Sequence, residues 1–224
     1  MGSTLPKQYL TLAGKTLLEH SLQALLGCPQ IHTVAVALAP DDQMAAELAA
    51  LDHPRVLRVA GGAERCDSVL CGLDGLAAGA AAPDDWVLVH DAARPCLRAR
   101  DVAQLIESVT ASGVGGLLAE PIVDTVKQAD DDGLVCATLD RRRLWRAQTP
   151  QMFRLQELRD ALVAARAGDL AVTDEASAME LAGHPVQLVR GPSSNLKVTV
   201  PGDLPLAGWY LERAAVEGEE SACE

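Results

Sequence analysis

The chain is poor in aromatic residues, poor in lysine and short of positive charge. Three tryptophans, two tyrosines and one phenylalanine supply only 3% of its 224 residues, so the core has to be assembled from Ala, Leu and Val. Acids outnumber bases 31 to 19, a formal charge of −12. That balance argues against nucleic acid or an anionic membrane surface as a partner, because both are held by a basic footprint. No apolar run approaches the ~20 residues of a membrane span, and no charged-then-apolar leader opens the chain. Cysteines 28, 66, 71, 96, 136 and 223 lack C-x-x-C spacing, which suits reduced thiols in a soluble, cytoplasmic protein. No G-x-G-x-x-G follows a strand, which sets aside a dinucleotide-binding dehydrogenase.

What is present is alternation. "TVAVALA" (33–39), "RVLRVA" (55–60), "WVLVHD" (86–91) and "GGLLAEP" (115–121) are short Val- and Leu-rich runs bounded by turn residues. Between them, 41–51, 64–79 and 100–112 have helical composition. Such alternation predicts βαβ units and a parallel sheet covered on both faces. Residues 122–150 break the pattern and read as two short strands around "QADDDG", a projecting β-hairpin arm. Helices are expected over 155–167 and 174–182, then strands "VQLVR" and "LKVTV", then a helix from near Asp203. The acidic tail "EGEESACE" is expected to fray. The whole reads as one α/β domain, 1–224, with the arm at about 122–148.

Ligands of open α/β sheets bind beyond the carboxyl ends of the strands, and several polar stretches fall there. In "AGGAERCDSV", Gly61 and Gly62 allow close backbone approach and Ser68 can donate from the following helix; an ordinary strand-to-helix turn has the same composition. In "VHDAARP", Asp91 ends an apolar strand with Arg94 three residues on. It suits a hard cation such as Mg²⁺ held largely by water and phosphate, or equally a helix cap with a surface ion pair. "DTVK" and "LDRRRLW" flank the arm, and Arg141 is placed to meet a phosphate, with a solvated basic turn as the alternative. "TDEASAME" is a capping box on its own. Lys197 in "SNLKVT" alternates with Leu196 and Val198, as a solvent-facing strand residue would. The opening "PKQYLTLAGK" puts Lys7 and Lys15 on a loop feeding a helix, which suits an anion.

Taken together, "PKQYL", "GGAER-x-x-SV", "VLVHDAARP", "DT-x-K", "DR-x-x-LW-x-x-QTPQ-x-F", "TDEAS" and "NLKVT" resemble, in order and over nearly the whole chain, the 2-C-methyl-D-erythritol 4-phosphate cytidylyltransferase family. The resemblance implies a Rossmann-like, doubly wound, mostly parallel sheet of the nucleotide-diphospho-sugar transferase type. It implies transfer of CMP from CTP to methylerythritol phosphate with release of pyrophosphate, on the non-mevalonate isoprenoid route, with Mg²⁺ as cofactor. Lys7 then stabilises transition-state charge on the triphosphate. Asp91 holds the metal, and Gly61, Gly62 and Ser68 surround the cytosine. Arg94, Thr125 and Lys197 bind methylerythritol phosphate, Lys197 aiming its phosphate. Arg141 and Thr149 sit beside the arm, which pairs with its twin in a homodimer so that Arg141 reaches the neighbouring site.

The resemblance also sets expectations where the sequence departs from it. Ala63 replaces an acid common after the double glycine, Val123 stands where an arginine is often seen, and "PSSN" lacks an acid often found before "N-x-K". The family pattern opens with an apolar strand and a loop A-A-G-x-G-x-R-M, whose last residue coincides with Met1, so the native polypeptide is expected to start roughly twenty residues upstream. A cytidylyltransferase for another polyol phosphate, such as ribitol 5-phosphate, and a non-catalytic homologue are the competing readings.

Overall fold

A computed structural model describes residues 5–168 and 170–221, with side chains to 216; Met1 and the last residues of the acidic tail lie outside them. Lys7–Tyr9 forms one turn of 3₁₀-helix, and the strands β1 (Thr11–Leu12) and β2 (Lys15–Thr16) form a two-residue hairpin closed by Gly14 at φ +77°. Helix α1 (Leu17–Leu26) starts at a capping box in which Glu19 accepts from Thr16 N–H at 2.7 Å. Then follow β3 (Val34–Leu38), α2 (Gln43–Ala46), β4 (Val56–Ala60), α3 (Arg65–Ala78), β5 (Trp86–Val89), α4 (Ala99–Ser112) and β6 (Gly116–Pro121). The arm is β7 (Val126–Ala129) and β8 (Val135–Leu139), paired antiparallel as expected. The chain closes with β9 (Trp145–Arg154), α5 (Leu155–Ala167), α6 (Glu175–Leu181), β10 (Gln187–Arg190) and α7 (Asp203–Ser221).

The central sheet has the order β10-β6-β9-β5, and β3 with β4 forms a separate parallel pair. Among the described residues β3 and β5 each have a ladder partner on one side only. Helices cover both faces, because side chains alternate along each strand. Val87, Leu117 and Phe153 pack under α3, α5 and α6 with Leu70, Leu73, Leu158 and Leu162. Their neighbours Leu88, Leu118 and Met152 turn to the other face, under α1 and α4, with Ala24, Val102, Leu105 and Val109. The single phenylalanine, 1% exposed, fills the gap left by Gly115, where a Cβ would come within 2.4 Å of its ring.

The doubly wound α/β architecture and the arm are present, and three local expectations are corrected. The helix expected over 41–51 is broken into α2 and a 3₁₀ turn at Ala49–Asp52. Ala45 and Leu51 both belong to one core cluster, and six residues apart they would lie about 120° apart around a continuous helix. The strand expected at "LKVTV" does not form: among the described residues the segment makes one backbone bond to a distant neighbour, from Val198 N–H to Ala93 O at 2.8 Å, and no ladder. Conversely, β9 is a ten-residue strand antiparallel to both β5 and β6. Its buried Gln148, Thr149 and Gln151 interrupt the apolar pattern that marks a strand. They are tolerated because each has hydrogen-bond partners.

Candidate active site

Two strand ends build the site. After β4, Gly61 N–H donates to Leu38 O at 2.7 Å and Gly62 N–H to Ser68 Oγ at 3.1 Å. A Cβ on Gly62 would fall 2.2 Å from that of Asp67, so only glycine lets the turn lie this close to the first turn of α3. The expected trio Gly61, Gly62 and Ser68 is therefore one structural unit, and the Ser68 hydroxyl keeps its own proton free to donate.

After β5 comes Asp91, its side chain 14% exposed and in contact with three cations. Lys197 Nζ lies 2.8 Å from Oδ2, Arg65 Nε 3.1 Å from Oδ1, and Arg94 Nε 3.9 Å from Oδ2. Burial would raise the Asp91 pKa, but the Arg65 charge, then the Lys197 ammonium, outweigh it and hold the carboxyl at about 2. No helix follows Asp91; the cap alternative gives way to a turn in which Arg94 N–H bonds its carbonyl at 3.0 Å.

Arg94 is anchored from behind by Nη1 donating to Asn195 O at 2.7 Å. Burial, with the nearby charges of Arg65 and Arg146, lowers its pKa against the pull of Asp91, and its Nε has no hydrogen-bond partner. Asn195, fully buried, donates to Thr149 O at 2.8 Å and so fixes the backbone that carries Lys197. Thr149 is brought to the site, but its hydroxyl faces inward. It accepts from Asp91 N–H at 3.0 Å and lies 2.9 Å from His90 Nδ1. His90 is held neutral, its pKa pushed down to about 4 by burial despite the Asp91 charge.

Arg65 is the residue that the sequence motifs pointed past. Its two terminal nitrogens bond the Glu175 carboxylate at 2.6 and 2.9 Å while Nε reaches Asp91. Burial would lower its pKa, but the bond to Glu175 and the two carboxylate charges raise it instead. Both residues stand in the motifs "GGAER" and "TDEAS"; the usable signal was an arginine and an acid, each at the first position of a helix. The capping expectation for "TDEAS" holds too, with Asp174 accepting from Ser177 N–H at 3.0 Å.

Gly61, Gly62 and Ser68 follow β4, Asp91 and Arg94 follow β5, Thr149 lies within β9 and Lys197 on an irregular segment, and Arg65 bonds Asp91 from α3. Among the described residues, Lys7, Thr125 and Arg141 are not drawn in by any hydrogen bond or ion pair to this group. Lys7 lies on the 3₁₀ turn, Thr125 is exposed at the foot of the arm, and Arg141 donates through Nη1 to Val123 O. Among the described residues no three His, Cys, Asp or Glu side chains are grouped to hold a metal.

Known proteins resemble the chain over nearly its whole length. The 2-C-methyl-D-erythritol 4-phosphate cytidylyltransferase family model matches residues 1–213. Proteins of that name from Vibrio vulnificus (strain CMCP6) and Pseudomonas putida (strain GB-1) are each 51% identical to the chain. The first aligns over 208 residues, 93% of this chain and 87% of its own; the second over 215, 96% and 90%. Among solved structures, a 4-diphosphocytidyl-2C-methyl-D-erythritol synthase superposes with TM-score 0.81 at 40% identity, covering 92% of this chain and 94% of that one. The Francisella tularensis cytidylyltransferase superposes with TM-score 0.79 at 36% identity, covering 92% and 93%. With identity at that level along almost its entire length, the chain belongs to the 2-C-methyl-D-erythritol 4-phosphate cytidylyltransferase family.

Proposed function

We propose that the protein transfers CMP from CTP to 2-C-methyl-D-erythritol 4-phosphate in isoprenoid biosynthesis. A phosphate oxygen of the acceptor attacks the α-phosphorus of CTP. The bond to the β-phosphate oxygen breaks, and pyrophosphate leaves with the electron pair. Nucleophile and electrophile are both anions, so the protein's task is positioning and charge compensation rather than covalent catalysis.

The observation that carries this reading is the cluster at Asp91: Lys197, Arg94 and Arg65 against Asp91 and Glu175, one surplus positive charge in a chain of net charge −12. Lys197 and Arg94 meet the acceptor phosphate, the half-exposed Lys197 aiming it. The Gly61–Gly62 turn and the Ser68 hydroxyl read the cytosine. Asp91 fits Mg²⁺: it is a hard oxygen donor kept ionised, and a single carboxylate with water and phosphates completing the shell is usual for that ion. When bound there, Mg²⁺ neutralises charge on the triphosphate.

Lys7 and Arg141 complete the cation set, Arg141 from a second copy. The arm supports that reading. A two-stranded hairpin is marginally stable alone, and Val123, Leu134 and Val135 on it are 74%, 67% and 63% exposed; a homodimer through the arm covers them. Cys28, Cys66, Cys71, Cys96 and Cys136 are free thiols and, among the described residues, no helix is long and apolar enough to cross a membrane. Both fit a cytoplasmic enzyme.

The test is pyrophosphate release with CTP, Mg²⁺ and either methylerythritol phosphate or ribitol 5-phosphate. Release that depends on methylerythritol phosphate is expected; preference for ribitol 5-phosphate, or background release with both, overturns the assignment.

A further inference from the structure

Glu175 is the first residue of α6 and is 1% exposed, yet it is no part of the surface a nucleotide would meet. Its carboxylate takes both terminal nitrogens of Arg65 at 2.6 and 2.9 Å. A bidentate bond fixes the plane of a guanidinium as well as its position. With that end held, Nε–H points at Asp91, 3.1 Å from Oδ1. Oδ2 faces Lys197.

The anchor behind Glu175 is itself rigid. Buried Gln151 on β9 accepts from Ala176 N–H at 2.7 Å and donates to Asp174 at 2.9 Å, bolting the start of α6 to the sheet. Gln151 stands opposite Val89 in the β5–β9 ladder, two residues before Asp91. Both ends of the line Glu175–Arg65–Asp91 are therefore set by one pair of neighbouring strands, and Arg65 on α3 closes the loop between them. A buried carboxylate paired with an arginine 38% exposed is a weak source of stability, since its desolvation cancels much of the attraction. Orientation is the better account of why it is there.

We infer that Glu175 is a positioning residue of cytidylyl transfer: it locks Arg65, and through Arg65 it sets the direction in which the Asp91 carboxylate faces the metal–nucleotide complex. This rests on the reading given under Proposed function. Arg65 has a second effect in the same arrangement. With its charge committed to Glu175 and Asp91, it does not compete with Lys197 and Arg94 for the acceptor phosphate.

The experiment compares the parent chain with Glu175→Gln, Arg65→Lys and the double variant. Three quantities are read: melting temperature, the kcat and KM values for both substrates, and CTP affinity by calorimetry with Mg²⁺ and again with chelator. The expected result is a fall in kcat of about 10- to 100-fold in each single variant, the usual effect of disturbing a group that orients a metal ligand. The double variant is expected to be no worse than the poorer single one, because both changes break the same line. The gain in CTP affinity that Mg²⁺ confers is expected to shrink by about 10-fold in Glu175→Gln, with affinity in chelator unchanged. Parental kcat and an undiminished Mg²⁺ gain overturn the proposal, as do losses that multiply in the double variant or that follow the unfolded fraction alone. Should Glu175→Gln fail to fold, Arg65→Lys decides by the same readouts. A parent chain without CTP-dependent pyrophosphate release overturns the functional reading itself, and the positioning role with it; a working parent with indifferent variants overturns only the latter.

Discussion

Lys197 Nζ lies 2.8 Å from Oδ2 of Asp91, although the two residues are 106 positions apart in the chain and Lys197 belongs to no regular element. One backbone bond, Val198 N–H to Ala93 O, and the buried side chain of Asn195 hold the lysine there. A flexible cation is thereby parked on the carboxylate that the metal would use, within reach of an incoming phosphate.

Removing that cation should cost rate and little stability. Lys197→Ala is expected to lower kcat about 100- to 1,000-fold, the range for deleting one preorganised group that meets transition-state charge. The Lys197 side chain is 41% exposed, so the ion pair itself contributes at most about 1 kcal/mol to folding. Steady-state kinetics beside a thermal melt checks both halves; a large fall in melting temperature would mean the lysine is structural.

The fold should weaken in acid through His90 before it weakens through Asp91. The folded-state pKa of His90 is about 4 against 6.5 for a free imidazole, so as pH falls the unfolded chain takes up the proton first. Stability therefore rises with pH between about 4 and 6.5 and is lost on descent through that window, by about 2–3 kcal/mol from this group. Asp91 has its folded pKa depressed to about 2. Its contribution is intact above the ordinary carboxylate range and goes only as pH falls from about 4 towards 2. Urea titrations at pH 7 and pH 4.5 are expected to show the loss in the parent chain and a flatter dependence in His90→Gln.

If Arg141 serves the neighbouring copy, two inactive variants should rescue each other. A 1:1 mixture of Arg141→Ala and Lys197→Ala chains, unfolded and refolded together, forms half heterodimers, each with one intact site. About a quarter of parental activity is then expected. Arg141 acting within its own chain predicts none.

Two glycines that look alike in sequence should respond in opposite ways. At Gly62 an added methyl meets Asp67 Cβ at 2.2 Å and Asp67 backbone at 3.0 Å, so Gly62→Ala must open the turn. It is expected to cost about 1–3 kcal/mol and to raise KM for CTP. At Gly72, inside α3, nothing lies within 4 Å of the place an added methyl would take, and Gly72→Ala should stabilise by about 0.4–1 kcal/mol. Denaturant midpoints for the two variants provide the comparison.

Two motifs were legible in the sequence because each stands at the end of a strand, where composition changes sharply. "VHDAARP" marks Asp91 in that way, and "AGGAER" marks the glycine turn. Strand β9 was hidden because Gln148, Thr149 and Gln151 are buried polar groups, and only their partners, such as Asp174, Pro192 and His90, make their burial tolerable. Arg65 and Glu175 went unassigned for the same kind of reason. Their meaning lies in a contact between residues 110 positions apart.

By itself the sequence determined the alternation of strands and helices, the arm, the helix cap at Asp174, and the family to which the chain belongs. Each of these depends on residues within a few positions of one another, where periodicity and backbone preference act. Only the tertiary structure decided which cations surround Asp91, that the Thr149 hydroxyl turns inward, and that Glu175 stands behind Arg65. Hydrogen bonds and close ion pairs need atoms within a few ångströms of each other, so they follow the folded chain's neighbours and not its order.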